Sequence, residues 1–171
     1  MAARVWIGHG AAGNAASMAP HVKGLRARGL DAAALSLPKG SAERAMPKLL
    51  EQVGPDHAGS VIGGQSYGGR VASMVAADAG DFAGLVLISY PLHRPGHPEE
   101  QRTAHWRRIT CPALLLSGEA DSFARIDLLR AAVRLLPDAE LHTYPGVGHG
   151  GLAAVLDDLL DRIAEFVRGL S

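Results

Sequence analysis

Ser60-Val61-Ile62-Gly63-Gly64-Gln65-Ser66-Tyr67-Gly68-Gly69-Arg70-Val71-Ala72 is the stretch on which the reading of this chain turns. A short β-branched run ends in Gly64-Gln65-Ser66-Tyr67-Gly68, and a small-residue helical pattern begins at once. That is the strand–turn–helix setting in which G-x-S-x-G forms a nucleophile elbow. Glycine is needed two positions either side of the serine, because strand end and helix start come too close for Cβ atoms. The turn lifts the Ser66 hydroxyl above the sheet, and the helix N-terminus behind it favours developing negative charge.

Outward from the elbow, apolar strand runs alternate with helical patterns, which predicts a mainly parallel sheet covered on both faces. Strands are expected over 4–8, 32–37, 60–63, 85–89, 113–117 and 140–143. Helices are expected over 17–28, 46–53, 69–79, 124–136 and 152–168. Pro20 and Pro47 are each read as marking a first helical turn, where the missing N–H is tolerated. The last helix carries the clearest stripe: Leu152, Val155, Leu156, Leu159, Leu160, Ile163, Phe166 and Val167 share one face. The irregular stretch 91–110, rich in proline and histidine, is expected to be functional or mobile, with a short helix near 99–105.

Composition narrows the classes. The 171 residues fit one domain, 1–171, with a core that needs neither disulfide nor metal. Lys+Arg and Asp+Glu both total 17, so no basic face is offered to nucleic acid. No apolar run is long enough to span a membrane. The chain enters a strand with no leader-like segment, and the single Cys111 cannot form an internal disulfide, so a cytoplasmic protein is expected. Cys111 itself reads as a small buried hydrophobe.

A serine nucleophile requires a base, an orienting acid and oxyanion donors. With this elbow the chain order is Ser, then Asp or Glu, then His. Asp121 lies in Gly118-Glu119-Ala120-Asp121, after the strand at 113–117, with Glu119 as the lower-ranked rival. His149 lies in the glycine-rich loop Gly146-Val147-Gly148-His149-Gly150-Gly151 after the strand at 140–143. All three fall at the sheet edge where ligands gather in doubly wound folds. The oxyanion donors are the N–H of Tyr67 and one from the loop His9-Gly10-Ala11-Ala12-Gly13-Asn14, assigned to Ala11. His9 is read as a brace for that loop. His93, His97 and His105 invite a metal, but Pro95 breaks the helical spacing of the first two, and none is assigned. No cofactor is expected either. Tyr90 and His93 are expected to form a substrate-binding rim.

The motifs, taken together, resemble the α/β-hydrolase superfamily. The run Gly64 to Ser73, with Tyr90-Pro91-Leu92-His93-Arg94-Pro95-Gly96-His97-Pro98-Glu99 and Arg102-Thr103-Ala104-His105, resembles its dienelactone-hydrolase-like branch. That branch is named after an NSL-complex subunit and a testis-expressed protein. The resemblance implies a small sheet without a large cap domain and places Ser66, Asp121 and His149 at the catalytic positions. Tyr67 stands where the branch often carries methionine.

The resulting expectation is an α/β fold of six mainly parallel strands in order 2-1-3-4-5-6. It would hydrolyse a small carboxylic ester or thioester through an acyl-enzyme on Ser66. Amide or C–C hydrolysis on the same residues, and a catalytically silent scaffold for a protein partner, remain open from sequence. The expected ligand is a small acyl substrate, with short acyl groups favoured.

Overall fold

The computed structural model describes residues 3–170. The apolar runs form six strands: β1 (Arg4–Gly8), β2 (Ala32–Ala34), β3 (Ser60–Gln65), β4 (Gly84–Ile88), β5 (Ala113–Gly118) and β6 (Ala139–Tyr144). Every neighbouring pair is parallel, in the order β2-β1-β3-β4-β5-β6. Helices α1 (Ala19–Ala27), α2 (Ala42–Val53), α3 (Tyr67–Ala79), α4 (Ile126–Ala132) and α5 (Leu156–Arg168) complete it. β4 is buried at every position, as a strand covered on both faces must be.

Strand alternation sorts the core into two layers. Leu85, Leu87, Ala113 and Leu115 face the side that holds Val71, Val75 and Leu49 of α3 and α2. Val86, Ile88, Leu114 and Leu116 face Val22 and Leu25 of α1 and Leu159, Leu160 and Ile163 of α5. Burying each large aliphatic side chain stabilises by about 1.5–3 kcal/mol, before the entropy of ordering it. Leu160 of α5 seats in the notch that Gly24 leaves on α1: a Cβ there would stand 2.3 Å from Leu160 Cδ1.

Four expectations need correction. β2 ends at Ala34, three residues early. Pro47 is not in a first turn but is the sixth residue of α2. The helix starts earlier because Ser41 caps it, its hydroxyl accepting from the Arg44 N–H at 3.3 Å. Pro47 is tolerated because it is exposed, so the backbone carbonyl it leaves without a partner can face water. The helices expected over 17–28, 124–136 and 152–168 begin or end in 3₁₀ turns, at Ala15–Met18, Val133–Leu135 and Gly151–Val155. No helix forms over 99–105; a 3₁₀ turn at Trp106–Arg108 takes its place.

The 91–110 stretch packs across the core as a strap. Leu92, Trp106 and Ile109 are fully buried against the α3 layer, and Arg102 N–H donates to Leu92 O at 2.7 Å. No helix among the described residues is long and apolar enough to cross a membrane.

Candidate active site

Ser66 occupies the junction of β3 and α3 with φ 50° and ψ −115°, backbone angles that a non-glycine residue rarely adopts. The glycines around it show why the turn can be so tight. A Cβ on Gly64 would stand 2.5 Å from Gly68 C and 2.8 Å from Gly8 O. One on Gly68 would stand 2.6 Å from Gly8 C and 2.7 Å from His9 O. The elbow therefore rests directly on the backbone that leads into the loop after β1. Ser66 N–H donates to Ile88 O at 2.8 Å, tying the turn to β4. Ser89, one residue past β4, shares the φ of 50°; it is fully buried and its hydroxyl has no hydrogen-bond partner.

Parallel strands bring Ser66, Asp121 and His149 to one edge of the sheet. Ser66 Oγ lies 2.9 Å from His149 Nε2. His149 Nδ1 lies 2.8 Å and 3.0 Å from the two oxygens of Asp121. A carboxylate only accepts, so Nδ1 carries the ring proton and Nε2 presents its lone pair to the Ser66 O–H. Asp121 is buried, and Phe123 N–H donates to its Oδ1 at 2.7 Å. The Phe123 ring stacks on the His149 imidazole, centroids 4.2 Å apart, fixing the ring plane from one side. Sequence reading missed Phe123. The signal was its place two residues after an aspartate, the spacing of a side-chain-capped turn.

Tyr67 begins α3, where the first N–H groups have no helical acceptor. Among the described residues neither its N–H nor that of Ala11 has a hydrogen-bond acceptor. The Tyr67 phenol turns away and donates to Pro38 O at 2.6 Å; burial pushes its pKa up. His9 is buried and braces the β1 loop as expected: Leu37 N–H donates to its Nε2 at 2.9 Å, so its Nδ1–H donates to Gly10 O at 2.8 Å.

Tyr90 and His93 do not form a rim. Tyr90 is 1% exposed and its hydroxyl donates to Arg102 O at 2.7 Å. His93 is 3% exposed; it accepts from Arg125 N–H at Nε2, 3.0 Å, and donates from Nδ1 to Arg94 O, 2.9 Å. His93 N–H also donates to Phe123 O at 2.9 Å. Both residues point inward because the strap must satisfy its own backbone where it crosses the core. His93 thus clips the strap to the turn that carries Asp121 and Phe123.

The remaining candidates go elsewhere. Glu119 accepts from the Thr143 hydroxyl at 2.9 Å and faces Arg130, not His149. The three strap histidines are not brought together: His93 meets Arg125, His105 meets Ser73, and His97 sits beside exposed Glu99 and Glu100. A groove of ≈ 820 Å³ opens at the opposite edge of the sheet, lined by Cys111, Pro112, Glu140, Arg162 and Phe166 among others. It holds no activated nucleophile, since burial pushes the Cys111 thiol up to about 11.

His105 packs beside α3, 2.7 Å from Ser73 Oγ, and burial together with the nearby Arg70 and Arg108 charges lowers its pKa to about 4. An unfolded chain binds a proton at this histidine near pH 6.5, the folded chain only near 4. Stability should therefore fall as pH drops through that window and level off below it. Discounted for the side chain's partial exposure, the expected loss is about 1–2 kcal/mol. Urea unfolding at pH 7 and pH 4.5 measures it, and His105→Gln should shrink the difference by about that amount. An unchanged difference would place the acid sensitivity elsewhere.

A parallel sheet with an elbow serine, and an aspartate and a histidine on later loops of the same edge, is the architecture of an α/β-hydrolase. Residues 37–154 match the alpha/beta hydrolase domain family, and the chain belongs to it. A curated relative, the non-heme chloroperoxidase of Burkholderia pyrrocinia, is 37% identical over 71 residues, 41% of this chain. That segment spans 26% of the relative's length. Among solved structures, the monoacylglycerol lipase of Paleococcus ferrophilus is similar at 16% identity and a TM-score of 0.79, with 96% of this chain and 93% of that one covered. Est1E from Butyrivibrio proteoclasticus is similar at 16% identity and a TM-score of 0.77, covering 96% of this chain and 86% of that one. At such identities the likeness is one of fold.

Proposed function

We propose that the protein is a cofactor-free serine hydrolase of small carboxylic esters or thioesters, within the dienelactone-hydrolase-like branch and acting in the cytoplasm. The carrying observation is the relay from Ser66 Oγ to His149 Nε2 at 2.9 Å and from His149 Nδ1 to Asp121 at 2.8 Å. Ser66 Oγ attacks the acyl carbon while Nε2 takes its proton. The N–H groups of Tyr67 and Ala11 bind the oxygen that becomes negative, and the α3 N-terminus adds to that field. Collapse of the intermediate expels the alcohol or thiol, which receives the proton from His149. Water, deprotonated by the same nitrogen, then attacks the acyl-serine and releases the acid. Asp121 keeps the imidazole in the productive tautomer and stabilises its charged form. A fluorophosphonate probe tests this directly: one label on Ser66, lost in Ser66→Ala, is expected. No label on the folded protein would reject the reading.

The strap sets the expected chain-length preference. With Leu92, Trp106 and Ile109 committed to the core, the β4–β5 connection has no free helix to wall in a long acyl group. Each methylene left in water forgoes about 0.8 kcal/mol, roughly fourfold in binding. Aryl esters with acyl groups of about two to four carbons are expected to be the best simple substrates. A kcat/KM that climbs steadily to acyl chains of eight or more carbons would contradict this.

A further inference from the structure

We propose that His93 is a positioning residue for the Ser66–His149–Asp121 relay: from the strap it fixes the turn whose Asp121 and Phe123 hold the imidazole. The inference rests on the hydrolase reading and names a further residue on which that same site depends.

The loop after β5 carries the acid and is held from two directions. Its first half is tied to the loop that carries His149: Glu119 N–H donates to Tyr144 O and Ala120 N–H to Val147 O, both at 2.9 Å. In its second half, Ser122 and Arg125 are exposed, and the Arg125 guanidinium forks onto its near neighbour Asp127. Among the described residues, two hydrogen bonds reach 122–125 from outside the loop and α4, and both come from His93. His93 N–H donates to Phe123 O at 2.9 Å, and Arg125 N–H donates to His93 Nε2 at 3.0 Å. The His93 Nδ1–H is committed to Arg94 O, so the Nε2 lone pair is the one turned to Arg125. The strap is a firm post for this contact: Leu92 beside it is fully buried, and Arg102 N–H donates to Leu92 O.

The anchored half bears on the imidazole twice. Phe123 N–H donates to Asp121 Oδ1, and the Phe123 ring stacks on His149. Slack in 122–125 would therefore reach His149 through its acid partner and through its stacked face. A misplacement of about 1 Å in a catalytic group can cost about 100-fold in rate. The loss should fall on kcat and spare KM. His149 serves the attack of Ser66 and the later attack of water, so both steps slow together, and buried His93 does not meet the ester.

Glutamine and asparagine separate the Arg125 link from general packing. A glutamine amide reaches the position of Nε2 and can accept from Arg125 N–H; an asparagine amide stops at the level of Nδ1 and leaves that donor without its acceptor. His93→Asn is expected to lower kcat on an activated aryl ester roughly 10- to 100-fold with KM within about threefold. His93→Gln should restore most of that loss, and the same asparagine change at exposed His97 should alter neither constant. Arg125→Pro makes the break from the other side: its φ of −55° suits proline, which deletes the N–H and leaves the core side chains untouched. It should lose kcat as His93→Asn does. Proton NMR reads the relay without a substrate. The His149 Nδ1–H resonance, moved far downfield by its bond to Asp121, should be sharp in the wild type and in His93→Gln, and broadened or lost in the other two. Equal kcat in His93→Asn and His93→Gln overturns the proposal, as does full activity in folded Arg125→Pro, and each leaves the hydrolase reading standing. Failure of both His93→Asn and Arg125→Pro to fold would make the link one of stability and overturn it too. A His149 resonance that follows the Arg125 link in a protein that hydrolyses no ester would keep the positioning role and remove the hydrolase reading.

Discussion

Ser66→Ala is expected to cost roughly 10⁴-fold or more in kcat on an activated ester while leaving a folded protein. The size follows from the relay: without Oγ there is no acyl-enzyme, and His149 has nothing to deprotonate but water. The fold should survive because Ser66 is held by its backbone, through the Ser66 N–H to Ile88 O bond and the Gly64–Gly68 approach, neither of which involves the hydroxyl. Steady-state turnover beside a thermal melt reads both parts. Wild-type turnover by a folded Ser66→Ala protein would remove serine catalysis from consideration.

Asp121→Asn should be the next largest loss, roughly 10²- to 10⁴-fold in kcat. An amide in place of the carboxylate can present its NH₂ to Nδ1, which favours the tautomer with the proton on Nε2 and removes the lone pair from Ser66. The Phe123 N–H bond to the side-chain oxygen can persist, so the turn should hold and the effect should be chemical, not structural. Full activity in Asp121→Asn would speak against the assigned roles. Glu119 cannot substitute, since it is turned toward Thr143 and Arg130.

The strand core and the elbow were legible because both are local patterns: β-branched or leucine runs with turn residues between them, and glycines at fixed offsets from a serine. Asp121 and His149 were legible through chain order and their place in loops after the fifth and sixth strands, and the parallel register then carries them to Ser66. Where a polar aromatic side chain points was not legible. Tyr90 and His93 flank Leu92, and nothing in that run says that the strap turns all three inward. Pro47 misled because a general rule about first turns met a stronger local signal, the Ser41 cap. The Phe123–His149 stack and the His93 clip depend on two loops meeting across the sheet edge, which no spacing in either loop encodes.

The two central strands each run into a serine with φ of 50°, one hydrogen-bonded to His149 and one buried with an idle hydroxyl. Such backbone conformations store about 1–3 kcal/mol apiece, held in place by the surrounding sheet. Glycine would relax either position, offset in part by its greater freedom in the unfolded chain. The consequence is a trade between chemistry and heat resistance written into the middle of the sheet. A Ser66→Gly protein, dead as a catalyst, should melt at or above the wild-type temperature, whereas most substitutions in so buried a region lower it. A clear drop in its melting temperature would show that the turn is not under tension. If the melting temperature holds or rises, selection for thermostability alone would act first on Ser66, the residue on which the proposed hydrolysis depends.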